Sequence, residues 1–544
     1  MKNVKKLLAL GLTAAMVMGV TACGNEAEEQ PSSQASASSS TSESSATASS
    51  SSEAEEVKEP VTLEWWYRGN GIQKDTELVE TEFNKLLQTY PGMEHVTVNL
   101  NCYTGADYGN AVALAQSASE QIDILNTVYL NFVDQVANGT YLSLNDLLAE
   151  HENLYNELPE WLWDLGSVDG EIYMVPHYQR AASQEYLVIP KDYWDKYANQ
   201  DAITALCANT DRTIEEVAEV MEEYVLAVQA GEGATKYGYS LGQIFTHSHG
   251  FTERFDNISN NIVLFEDSDK VEYIFTADRV KKAYEISAEW YDKGIIHPDV
   301  LTITEGDFTY KNMLNPVSYC YSFQNGAGSG ESVGATLSAQ YGFDVVAIPV
   351  WDNYFIPNTW GAGGDGITAS CENPEEAMRL IELLNTEEGA ELYNMVVWGL
   401  EGTHWEWVDE ANKKIKTLEY DGSQGGADTS YAAMNWIMGN TFHAYQNQGI
   451  ADGTNEIALE INESEDNKTS SIMGFRVDVT GVQAQIDQIK AVQEEYMKTV
   501  RNGAVGSAKW EEKYNEFVEK LETAGLQEVL DEIQSQVDAF KAAK

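Results

Sequence analysis

Val61-Thr62-Leu63-Glu64-Trp65-Trp66-Tyr67-Arg68 is the first stretch of this chain able to pack against something. It is dense in β-branched and aromatic residues, which suits a strand. A helix-like segment follows from about Asp75 to Gln88, then a strand over His95 to Asn101, a helix near Tyr108 to Ala118 and a strand over Ile122 to Asn126. The pattern resumes beyond Tyr129 and reaches Ile172 to Val175 after an Asp169-Gly170 turn. Strands alternating with helices predict an α/β domain with a largely parallel sheet. Ligands of such sheets bind beyond the carboxyl ends of the strands, which singles out Asn70, Thr127, Tyr129, His177, Tyr178 and Gln179.

A second alternating set includes Tyr186 to Pro190, Tyr237 to Leu241, Val317 to Phe323 and Gly342 to Val350. Asn373-Pro374-Glu375-Glu376 predicts a helix start, with proline at the first position and acids near the positive end of the dipole. After residue 480 the period is helical. Trp510, Tyr514, Phe517 and Leu521 form a core stripe spaced by four, three and four.

What precedes the strand at Val61 is of a different kind. Lys2, Lys5 and Lys6 lead into an uncharged apolar run from Leu7 to Val20, then Thr21-Ala22-Cys23. That order predicts a secretory signal over residues 1–22, too short to stay in a bilayer as a spanning helix. Its end resembles a bacterial lipobox, which implies that Cys23 is lipidated and becomes the mature N-terminus; Val20 stands where leucine is commonest. Residues 24–57 are almost wholly Ser, Ala, Glu, Gln and Thr. Such a tract buries too little apolar surface to offset its ordering entropy, so 23–58 is expected to be a disordered tether. As a flexible coil it spans ~30 Å.

The formal net charge is −54, from 87 acidic and 33 basic residues. Repulsion makes nucleic acid and anionic lipid poor partners, so membrane contact is expected through the lipid anchor alone. The cysteines after Cys23 are Cys102, Cys207, Cys320 and Cys371, without a CxxC, which predicts mostly free buried thiols and no zinc site. About 485 residues beyond the tether suffice for two domains with cores of their own.

Several short matches, in order, resemble the extracellular solute-binding lipoproteins of ABC-type carbohydrate importers, in the long form with a helical C-terminal region. They are Asp169-Gly170-Glu171-Ile172-Tyr173-Met174-Val175-Pro176, the run from Trp290 to Asp299, Tyr341-Gly342-Phe343-Asp344 through Ile348-Pro349, and Gly366-Ile367-Thr368-Ala369 followed by Asn373-Pro374-Glu375-Glu376-Ala377. The resemblance spans residues 60–544. It implies a two-lobed periplasmic-binding-protein-like fold, with crossover strands between lobes and a ligand cleft that closes. The first lobe would comprise 60–178 plus 362–428, the second 184–358 plus 429–544. Thr359 to Asp365 reads as a hinge, because glycine absorbs backbone changes that other residues resist.

Thirteen tryptophans and 29 tyrosines are available to such a cleft. Sugars present apolar C–H faces and hydroxyl edges, so their pockets need flat aromatic platforms beside amides and carboxylates. Trp351 follows a predicted strand and precedes Asn353 and Tyr354; Trp360 lies in the hinge near Asn358; Trp436 falls near a third crossing and resembles a ligand-facing family position. Adjacent Trp65 and Trp66 point to opposite faces of their strand. Trp65 is expected in the core, with Trp66 nearer the strand end and open to ligand contact. Trp290 reads as structural, and Trp161, Trp163, Trp398, Trp405 and Trp407 as packing.

Enzyme signatures are weak. Chance carboxylate pairs are inevitable among so many acids, and His247-Ser248-His249 lacks a third metal ligand at helical spacing. Ser240 and Ser332 match GxSxG, but the first falls in a predicted strand and the second in a glycine-rich loop, neither at a strand-to-helix elbow. Gly361 to Gly366 fits GxGxxG yet leads into a strand. The expectation is a monomeric receptor, without cofactor or metal, that captures an oligosaccharide outside the membrane and hands it to ABC permease subunits. A receptor for a peptide or other small solute, or an extracellular glycan-cleaving enzyme, stands as the alternative.

Overall fold

In the computed structural model, described over residues 58–182, 184–233, 252–302, 318–321, 329–358, 363–418, 430–450 and 452–543, Val61–Gly69 is a strand with parallel partners on both sides. Val96–Thr104 pairs along its whole length and Ile124–Asn126 pairs at Trp65 and Trp66. Helices Thr76–Leu87 and Tyr108–Ala118 supply the connections, as the alternation requires. Two further strands complete a five-stranded sheet: Gly364–Ile367, antiparallel to Ile124–Asn126, and Val175–Pro176, antiparallel to Gly364–Ile367. The sheet is therefore parallel only where local crossovers build it. Chain returning from elsewhere runs the other way.

The second sheet is antiparallel. Glu185–Pro190 is flanked by Ser318–Tyr321 and Val345–Pro349, both antiparallel to it. Its central strand is buried throughout, and its side chains divide by period two. Leu187 and Ile189 enter a core with helix Ile214–Glu232, while Tyr186 and Val188 meet Val333 and Leu337 on the opposite face. A further core joins the antiparallel strands Phe255–Ser259, Ile262–Phe265 and Val271–Tyr273 to helices Gln483–Arg501, Ser507–Thr523 and Leu526–Ala543. The predicted stripe of Trp510, Tyr514, Phe517 and Leu521 lies in that core.

The first sheet's core gathers residues 63–182 with the helices Pro374–Asn385 and Ala390–Trp398. Pro374 opens its helix as predicted, although Asn373 makes no side-chain cap. Ile437, Met438, Ala444 and Met473 also pack there, although the expected boundary at 429 puts them with the second lobe. Nothing in a local pattern assigns an apolar residue to one core rather than another.

The glycines at 363, 364 and 366 allow close approach. Their φ angles are ordinary, whereas a methyl group would overlap a Val128 methyl, the Val175 carbonyl and the Tyr141 ring respectively. Thr359 to Ala362, including Trp360, lie outside the described residues, as do Cys23, Tyr237 to Leu241, Ser240 and His247-Ser248-His249. Ser332 stands in the first turn of helix Gly330–Tyr341 rather than in a loop; its amide donates to Ser329 Oγ, so the glycines around it are helical. Cys102 and Cys207 are free and buried, and burial pushes their thiols up to about 11 and about 12. No helix among the described residues is long and apolar enough to cross a membrane.

Candidate functional site

Two clusters of arginine and aromatic side chains stand where the strands of the two sheets end. At the first, Val61–Gly69 delivers Arg68 to the carboxyl edge of the parallel ladder. Its guanidinium carbon lies 4.9 Å from the Tyr129 ring centre and 5.3 Å from that of Trp436, with Met434 Sδ beside Nη1. Tyr129 is 68% exposed and has φ +65°, so the turn after Ile124–Asn126 holds its ring outward. Trp436 is set by backbone pins. Asn70 Nδ2 and Gln73 Nε2 both donate to Ala432 O, at 2.9 and 2.7 Å, and Ala432 N donates to Gln73 Oε1. Gln179 Nε2 then donates to Trp436 O at 3.3 Å. Tyr129, Trp436, Asn70 and Gln179 are thus brought together, with the two amides positioning the indole.

The second cluster surrounds Trp351, whose ring centre lies 4.5 Å from the Arg212 guanidinium carbon and 4.6 Å from that of Arg254. Arg254 forks onto Glu266 at 2.6 and 3.1 Å, and its Nη1 donates to Asn353 Oδ1 at 2.9 Å. Gln184 Nε2 donates to the Trp351 carbonyl. Glu185 is buried alongside. Burial raises its carboxyl well above the usual range, against the opposing pull of Arg254 and Arg212. Tyr354 packs on the first core, and its carbonyl accepts from Lys468 N at 3.0 Å. Beyond Glu266 a cavity of about 250 Å³ is lined by Asp256, Phe265, Glu266, Phe355, Lys468 and Ser470, among others.

Between the sheets runs the segment from His177 to Gln184, and its anchoring residue is Asn462. Asn462 Oδ1 accepts from Ala181 N and Ala182 N, both at 2.9 Å, while Nδ2 donates to Gln179 O at 2.8 Å. His177 Nε2 and Asp365 Oδ2, on neighbouring crossings, are 3.1 Å apart and fully buried. The remaining predicted residues are structural in placement. Trp66 is 7% exposed, its ring 4.9 Å from Tyr103. Thr127 Oγ1 accepts from Gly364 N at 3.0 Å. Tyr178 is buried edge-on to Phe442 and Trp161. Both ends of the Asn358 amide are engaged, with Phe475 O and Gly474 N. Trp65 and Trp290 are core residues, as expected.

Sequence reasoning missed Arg68, Arg212, Arg254 and Asn462. Arg68 had a usable signal, since it sits beside Asn70 at a strand end; the others gain their roles only across long sequence separations.

The family described as a domain of unknown function, DUF3502, matches residues 471–542. A protein of Streptococcus pneumoniae serotype 4, named carbohydrate ABC transporter substrate-binding protein, is 24% identical over 551 positions covering 99% of each chain. Among solved structures, the N-glycan transport solute binding protein NgtS from Streptococcus pneumoniae aligns with a TM-score of 0.68 at 22% identity, over 89% of this chain and 99% of that one. The same protein in complex with Man5GlcNAc gives 0.57 over the same shares. An HMO binding, ABC-transporter-associated solute binding protein from Bifidobacterium longum infantis gives 0.55 at 14% identity, also over 89% and 99%. The chain has the fold of the two-domain solute-binding proteins, as its sequence motifs predict.

Proposed function

We propose that this chain is the substrate-binding protein of a carbohydrate ABC transporter, a receptor that captures an oligosaccharide outside the membrane and delivers it to permease subunits. The observation that carries this reading is the collinear match with a named carbohydrate substrate-binding protein across 99% of both chains. A shared domain or motif would align locally, whereas end-to-end alignment supports a shared role for the whole chain. The geometry agrees. Tyr129 and Trp436 offer rings that suit the C–H faces of pyranoses, and the amides beside them fix the indole's position.

The mechanism is differential binding. A glycan touching both lobes favours the closed arrangement, and the permease reads closure as the loaded state. The two lobes in this reading are the core around the first sheet and the cores around the second sheet and C-terminal helices, joined through residues 177–184 and the neighbouring crossings. Acylation at Cys23 tethers a monomer to the outer face of the membrane, and the ligand is released uncleaved.

The test is thermal stabilisation of the folded body against a panel of oligosaccharides and peptides. Stabilisation by glycans alone is expected; silence across the glycans, or a preference for peptides, refutes the reading. Product analysis after prolonged incubation with a bound glycan checks that no bond is cut. Mass spectrometry of the membrane-extracted protein checks the diacylated Cys23.

A further inference from the structure

Of the eight arginines of this chain, some meet carboxylates and others do not. Arg254, Arg279 and Arg379 sit on carboxylates, at 2.6 Å from Glu266, 2.8 Å from Glu253 and 2.7 Å from Glu382. Arg68 and Arg180 pair with no carboxylate among the described residues. Arg68 has only ring faces, a thioether sulfur and a buried Nε without an acceptor. Arg180 has less still. It donates no hydrogen bond among the described residues, and its Nη1 is sealed from solvent with no acceptor. Burial alone moves its guanidinium below the ordinary arginine range.

Acid is not scarce here, with 87 acidic residues against 33 basic ones, so a guanidinium that meets no carboxylate among the described residues is a local arrangement. A buried charge without a counter-charge is among the more destabilising features a fold can retain. A neutral sugar hydroxyl would satisfy a donor of Arg180 and leave its charge uncompensated. A carboxylate satisfies both, through the paired N–H fork that guanidinium presents. Arg180 is also next in sequence to Gln179, whose side chain holds Trp436 against Arg68, so the unpaired cation belongs to the segment that frames the aromatic platform.

We propose that the oligosaccharide carries a carboxylate, as a uronate or sialate residue does, and that Arg180 is the specificity-determining residue that binds it. This rests on the sugar-receptor reading above. The overall negative charge does not oppose it at contact range, since fields beyond about 8 Å are largely screened at physiological salt. Exclusion of long polyanions is a different matter, because they must lay many charges along the acidic surface.

The experiment is calorimetric titration of the full chain with trigalacturonate and 3′-sialyllactose, each beside its carboxyl-reduced counterpart. At least one acidic glycan is expected to bind about 10–100-fold tighter than its reduced form, the range of one charge-assisted contact. Arg180→Gln brings that ratio close to one, while Arg180→Lys keeps part of it by keeping the charge without the fork. Without ligand, Arg180→Gln melts no lower than the parent, since it removes an uncompensated charge; a purely structural arginine would give a lower melting temperature. Equal binding of acidic and reduced forms, or an unchanged ratio in Arg180→Gln, overturns the inference and leaves the sugar receptor standing. Displacement of the glycan by a tripeptide's terminal carboxylate overturns it as well. Silence with every glycan, acidic or neutral, overturns both.

Discussion

Replacing Asn462 by alanine removes the side chain that satisfies three backbone groups of the segment between the two sheets. The Ala181 and Ala182 amides lose acceptors at 2.9 Å and the Gln179 carbonyl loses a donor at 2.8 Å. Both alanines are buried, as is Asn462. Each buried polar group left unpaired costs about 1–3 kcal/mol, so three of them, with some water entry, predict a loss of about 3–5 kcal/mol. Aspartate separates the contributions. A carboxylate still accepts from both amides but cannot donate to Gln179 O, so Asn462→Asp should lose about 1–2 kcal/mol. Equilibrium urea unfolding followed by tryptophan fluorescence reads both variants against the parent. A loss below about 1 kcal/mol for Asn462→Ala, or a larger loss for Asn462→Asp than for Asn462→Ala, would refute the claim that this side chain anchors the crossing.

Glu185→Gln should change how stability depends on pH. The folded state keeps the Glu185 proton at pH values where the unfolded chain, with an ordinary carboxyl near 4.3, has lost it, so stability falls as pH rises above that value by up to about 1.4 kcal/mol per pH unit. Melting temperatures between pH 4 and pH 8 should show the variant more stable than the parent at the upper end and level with it at the lower; a constant difference argues against a buried, protonated Glu185. Gly364→Ala forces a methyl group onto the Val175 carbonyl, with an expected loss of about 1–3 kcal/mol in urea unfolding, whereas a neutral result would refute the close approach at this position. Trp436→Ala should weaken any bound glycan by about tenfold or more in calorimetry, the range for a lost aromatic platform; unchanged affinity would place the sugar elsewhere.

Local patterns carried far in this chain where local physics governs. The strand at Val61, the helix begun by Pro374 and the stripe from Trp510 to Leu521 all follow from propensity, proline geometry and period. The antiparallel second sheet was not legible, because strand direction is set by where long connections return. The tight packing at the glycines near 364 was not legible for a related reason: what they make room for is chain roughly 190 to 240 positions earlier. Of the candidate site, Tyr129 and Trp436 were singled out by strand ends, residue type and, for Trp436, a family resemblance, and Arg68, which the fold sets beside both rings, lay in plain view. Thr127 and Asn358 show the limit of that approach, since a polar residue at a strand end can be engaged within the fold, Thr127 by Gly364 N and the Met174 sulfur and the Asn358 side chain by backbone.

The left-handed backbone at Tyr129 sets two selections against each other. A side chain with a Cβ in that conformation carries a penalty of about 1–2 kcal/mol that glycine escapes. A library randomised at this codon and sorted by heat tolerance should therefore drift to glycine or asparagine, while the same library sorted by glycan capture should return tyrosine or tryptophan. Codon 129 is where foldability and grip part company.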